Sequence, residues 1–184
     1  MKTMIRVARI EKHYQENWGC DGVPCLFGNG PVSDLPSDFT VLKFPPRVGC
    51  PAWTFATRCM SQPEDDKPLE LHCFSTDDDF GLVELLYITA HYHRTGSDLD
   101  MGHTVNFGRP WSPGSPLGFG LVSLPYLDGP RLEIMESTGA RFLWLLPISS
   151  DEVAFKRAHG LDALEQAMER TSFDYLDPFR PNVI

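Results

Sequence analysis

Apolar and polar residues alternate in several stretches of this chain. FTVLKF (Phe39–Phe44) reads as a strand stopped by Pro45 and Pro46. Trp53, Phe55, Thr57 and Cys59 alternate with Thr54, Ala56 and Arg58, which predicts a second strand. After the acidic turn PEDDKP, LELHCF (Leu69–Phe74) returns with Leu69, Leu71 and Cys73 on one side and Glu70, His72 and Phe74 on the other. A short polar link between two such runs predicts an antiparallel hairpin. His72, set among core positions, reads as a satisfied polar group rather than a ligand.

The period then changes. Val83, Leu86 and Ala90, widened by Leu82, Leu85 and Thr89, mark a helix over Phe80–Thr95 that stops at Gly96. Asp77, Asp78 and Asp79 lie where side-chain oxygens cap free N–H groups and complement the helix dipole. HTVNF (His103–Phe107), GFGLVSLPY, RLEIM and RFLWLLP supply four further strands. The nearly unbroken apolar run Phe142–Leu146 predicts a central strand covered on both faces. Ser149-x-x-Glu152 is a capping box opening a helix to His159, Gly160 ends it, and a last helix spans Leu161–Arg170. At the other end, residues 3–18 predict a helix with Ile5, Ala8 and Tyr14 on its mixed face and Gly19 as its stop. Residues 19–38 read as a surface loop. The succession of strands, helix, strands and two helices predicts an α+β fold with a mainly antiparallel or mixed sheet flanked by helices. We expect one domain over residues 1–184, with 1–38 as a helix and loop extension.

Charge narrows the function. Sixteen Lys and Arg against twenty-five Asp and Glu give a net charge of −9. That argues against binding nucleic-acid phosphate and favours a basic protein partner. Without a long apolar run or a signal h-region, the chain is expected to be cytoplasmic and monomeric, with no membrane contact. Five cysteines without a CxxC pair read as free thiols, Cys59 and Cys73 as small core residues.

The block from His91 to Pro130 invites a search for chemistry. His91 and His93, two apart on a helix, point about 200° apart and cannot share a metal. His93 and Arg94 are expected to be solvated at the helix C-terminus, where positive charge is favoured. Cys20 and Cys25 lack the spacing of a structural zinc site. No nucleophile elbow, activated cysteine or phosphate cradle is present, so neither catalysis nor a cofactor is expected. What remains is the loop Gly108–Gly118. Its Arg109, Pro110 and Trp111 have the residue types of an interaction hot spot, although Trp111 could equally fold back as a plug over the sheet.

The ordered motifs WTFATRCMS, LELHCF, HYHRTG, GHTVNFGRPW, SLPYLDGP, FLWLLPIS and FDYLDPFRP closely resemble bacterial proteins of the suppressor-of-fused domain family, from about Phe39 onward. The resemblance implies a non-enzymatic α+β domain that binds protein. The animal founding member restrains a zinc-finger transcription factor, and bacterial relatives are interpreted as immunity proteins that neutralise a cognate toxin. It also implies a departure: an acidic residue that helps clamp the partner peptide in the animal protein is matched here by His103, which follows Gly102. The expected function is therefore toxin neutralisation, with a regulatory or scaffold role as the alternative. The candidate contacts are Asp65, Asp66, Asp77, Asp78, His103, Arg109 and Trp111.

Overall fold

A computed structural model describes residues 2–28 and 32–184 of the chain. In order they form α1 (Lys2–Trp18), β1 (Val23–Cys25), a single 3₁₀ turn (Val32–Asp34), β2 (Thr40–Phe44), β3 (Trp53–Arg58), β4 (Leu69–Ser75) and α2 (Phe80–Thr95). Then follow β5 (Thr104–Asn106), β6 (Leu117–Ser123), α3 (Pro130–Glu133), β7 (Ile134–Met135), β8 (Ala140–Ser149), α4 (Ser150–His159) and α5 (Leu161–Thr171). Among the described residues eight strands make one mixed sheet in the order β1-β2-β3-β4-β8-β6-β5, with β7 paired to the start of β8. β4 and β8 run parallel, Leu69 beside Arg141 and His72 beside Trp144; the other described pairs are antiparallel. This is the expected α+β architecture.

Strand alternation divides the side chains between two packed faces. Val41, Phe55, Leu71, Cys73, Leu143 and Leu145 point toward α2, whose Leu82, Val83, Leu85, Leu86 and Ala90 are buried against them. On the opposite face Leu42, Phe44, Ala56 and Phe142 pack on α1, and Phe74, Trp144, Leu146 and Ile148 pack on α4 and α5. β8 is buried on both sides because helices cover both, as its apolar sequence predicts. Asp79 caps α2 by accepting from the Gly81 N–H, and both halves of the Ser149–Glu152 capping box are made.

Several local expectations are overturned. α1 does not bury Ile5 or Ala8, which are exposed. Its inward stripe is Val7, Ile10, Tyr14 and Trp18, spaced as a helix face requires. The predicted loop 19–38 contains strand β1, while its residues 29–31 lie outside the described residues. Gly22 lets the backbone close on Phe44, whose Cζ would lie 2.6 Å from an added Cβ. β1 is an edge strand, so Pro24 costs it no inner ladder bond. Cys59 is buried but does not extend β3; its φ of +64° turns the chain so that the Met60 and Ser61 N–H groups reach Glu70. RLEIM is mostly helical: Gly129 at φ +80° and Pro130 at the first helical position begin a single turn, leaving two residues for β7.

Candidate functional site

The block from His91 to Pro130 is built around the free edge of the sheet. β5 pairs with β6 on one side only. The carbonyl of His103 and the N–H of Phe107 bond to β6, so by antiparallel alternation Thr104 and Asn106 turn their backbone N–H and C=O groups outward. Gly102, at φ +80°, bends the chain into this strand, and its carbonyl receives the Lys156 ammonium from α4. His103 follows, exposed, its Nδ1 accepting from the Asp100 N–H at 3.2 Å. Beyond β5 the Asn106 side chain accepts from the Gly108 N–H at 2.9 Å and starts the Gly-Pro loop.

That loop is anchored to the protein from behind. Trp111 is only 5% exposed and packs with Phe107 at 5.7 Å between ring centres, so its side chain is a plug and not a free aromatic surface. Arg109 reaches α2, donating to the Gly81 carbonyl at 2.8 Å and to Glu84 at 2.9 Å. Its side chain remains about one-third exposed.

α2 spans about 24 Å, and it separates the acidic candidates. Asp77 and Asp78 stand exposed before its first turn, on the Arg109 side, with Asp78 paired to Lys43 at 2.6 Å. Asp65 lies at its other end, held by Arg94 and by the Gln62 N–H. Burial alone would raise the Asp65 carboxyl; those partners bring it below its ordinary value. Exposed Asp66 shares with it the wall of a cleft of about 650 Å³ beside α1. The structure thus groups Asp77, Asp78 and Arg109, places Asp65 and Asp66 elsewhere, and sets His103 at the start of β5.

His93 and Arg94 are not solvated as expected. His93 is 5% exposed and its Nδ1 accepts from the Leu99 N–H at 2.9 Å; burial, aided by Arg94, lowers its pKa. His91 lies against Asp34 at 3.3 Å on the other side of α2. Among the described residues no three His, Cys, Asp or Glu side chains converge as a metal site.

Two buried polar groups lie off this block: His72 is buried among core positions as expected, whereas Arg180 is not foreseen. His72, fully buried, faces Asp128 at 3.2 Å, and Asp128 also accepts from the Trp18 indole at 2.7 Å. Burial would raise the Asp128 carboxyl, but His72, Trp18 and Arg47 together lower it. Arg180, 1% exposed, grips Glu152 through both nitrogens at 2.6 and 2.9 Å and the Pro147 carbonyl at 3.0 Å. DPFRP in sequence offers no sign that its arginine enters the core.

A mixed sheet with helices on both faces and, among the described residues, a free edge at β5 makes this an α+β domain of defined topology. The family model for Suppressor of fused protein (SUFU) matches residues 36–181, and the chain belongs to that family. Among solved structures it resembles a SUFU homologue from Neisseria gonorrhoeae FA 1090, with 28% identity over 98% of both chains and a TM-score of 0.87. Drosophila Suppressor of Fused matches at 15% identity and a TM-score of 0.67, over 95% of this chain but 49% of that one. A chain of the Sufu–Fu complex matches at 16% identity and a TM-score of 0.64, over 92% and 85% of the two chains. No curated protein matches the chain in sequence. Among the described residues no helix is long and apolar enough to cross a membrane.

Proposed function

We propose that this chain is a non-enzymatic, cytoplasmic, monomeric binding domain that neutralises a cognate toxin of a bacterial polymorphic toxin system by covering its active surface. The observation that carries the reading is the open β5 edge, where Thr104 and Asn106 offer backbone groups unpaired among the described residues, between exposed His103 and partly exposed Arg109. An extended segment of a partner can add there as a further strand. The net charge of −9, with Asp77 and Asp78 near Arg109, favours a basic partner and speeds its encounter. Trp111 supports the edge from beneath. The Sufu–Fu complex supports protein binding as the mode of action.

The test is co-expression with toxin domains of bacterial polymorphic toxin systems, beginning with any encoded beside this chain. Protection and a purified complex are expected, both lost with Thr104→Pro. That substitution removes an outward N–H while leaving the pairing to β6 intact. Protection by the Thr104→Pro variant would move the site away from β5. Failure of the unaltered chain to protect or to form a complex would end the toxin reading; capture of a cellular regulator instead would favour the scaffold role.

A further inference from the structure

A second recess lies on the face of the sheet opposite α2, between α5 and the 124–129 turn. It measures about 350 Å³, within the range of small-ligand sites. Its floor is apolar and buried: Trp144 and Leu146 of β8 and Met168 of α5. Its walls are aromatic, with Tyr126 58% exposed on one side and half-buried Tyr175, packed edge-on to Trp144 at 5.4 Å, on the other. Its rim is acidic, formed by Glu165 and Glu169.

That rim carries an unanswered charge. Asp162, Glu165 and Glu169 rise along one side of α5, and none joins an ion pair among the described residues. The Tyr126 hydroxyl sits against Glu165; burial and these three carboxylates push it up to about 12. Burial raises the Glu165 carboxyl against the hydrogen bonds it accepts from Tyr126 and Ser123, and Asp162 and Glu169 add to the rise. A cation at the rim would relieve this field.

The zones also say what shape of cation fits. A compact ammonium would reach the rim and leave the apolar floor bare. An arginine side chain lays a hydrocarbon stem on Leu146 and Met168, its plane against a tyrosine ring and its donors on two carboxylates. The protein already packs a guanidinium on an aromatic ring nearby: Arg180 lies 5.0 Å from the centre of Phe173, whose other atoms line the recess. That arginine is committed to Glu152, so the rim stays open.

We infer that this recess is a socket for an arginine side chain presented by the protein partner, a claim that rests on the protein-binding reading above. The probes are acetylated, amidated Gly-Arg-Gly and its lysine, citrulline and norleucine counterparts, titrated into the full-length protein and followed by 15N–1H spectra. Saturable shifts are expected at the Trp144 indole N–H and along α5 with the arginine peptide. The citrulline and norleucine peptides should bind at least about tenfold more weakly, the step expected when a charged partner is lost. The Glu165→Gln/Glu169→Gln variant should lose arginine binding by a similar factor while its melting temperature holds. Equal binding of citrulline, or no saturable shift at tens of millimolar peptide, overturns the inference; equal binding of lysine overturns the choice of arginine. If the toxin complex forms but is indifferent to the double variant, the protein-binding reading stands and the socket falls. If the peptide binds but no complex forms, the socket stands without its assigned partner.

Discussion

Replacing Arg180 by methionine should unfold this protein far more readily than its place near the end of the sequence suggests. The guanidinium is 1% exposed and donates to both oxygens of Glu152, to the Pro147 carbonyl and to the Pro181 carbonyl. Glu152 is itself fully buried; it also receives the Ser149 N–H at the start of α4 and the Val183 N–H at 3.1 Å. Arg180→Met keeps a long apolar stem but leaves the carboxylate facing the core without its counter-charge. Breaking a buried pair from one side costs about 3–5 kcal/mol. For a chain of this size that lowers the melting temperature by roughly 10 °C. Urea unfolding followed by Trp fluorescence reads the same loss as a shift in midpoint with little change in slope. The companion Arg180→Met/Glu152→Leu removes both charges and should recover most of the stability, short of about 1 kcal/mol for the lost helix cap. A single variant within about 1 kcal/mol of the parent, or a double variant weaker than the single, would refute the argument that an uncompensated carboxylate is the cause.

Three other outcomes follow from the same structure. Trp111→Ala should lose about 3–5 kcal/mol in urea unfolding, as expected for a buried indole and not for an exposed contact residue. Gly120→Ala should cost about 1–3 kcal/mol, because its Cβ would lie 2.6 Å from both Leu145 and Phe107 on the packed face of β6. Burial pushes Glu70 up to about 7 from its ordinary 4.5, against the hydrogen bonds from Thr57, Met60 and Ser61. The folded state therefore holds the proton more tightly. That contribution is complete below about pH 4.5 and is lost as pH rises through about 7, by about 3 kcal/mol. Stability measured at pH 5 and pH 8 should show this fall, and Glu70→Gln should flatten it.

Much of the fold was legible because periodicity speaks directly for long elements. Helix Phe80–Thr95, the Ser149 capping box and the doubly covered strand around Phe142–Leu146 were readable from spacing and caps alone. What was not legible has a different cause: the deciding partner lies outside the element being read. His93 looks solvated until Leu99 folds back to donate to it. β1 is invisible without the β2 edge that receives it. His72 meets Asp128 more than fifty residues away, and Trp18 is farther still. Among the candidate contacts, Arg109 and Asp78 are legible as charges, but their engagement with Glu84 and Lys43 is not. The α5 rim did leave a trace, since Asp162, Glu165 and Glu169 recur at helical spacing.

The parallel seam between β4 and β8 sets the order in which this molecule can assemble. Leu69 and Arg141 lie about seventy residues apart, whereas β2, β3 and β4 are joined by short turns and can pair locally. Loop-closure entropy delays the distant pairing, so the β2–β3–β4 meander should form first and β8 should dock onto it late. Leu143→Ala, on the seam, is then expected to speed unfolding while leaving refolding nearly unchanged, and Phe55→Ala in the meander to slow refolding. Stopped-flow rates showing the reverse would mean that β8 nucleates the sheet. Until that seam closes, the apolar edges of β4 and β8 are open to other chains, and the slowest step of folding is also the one most exposed to aggregation.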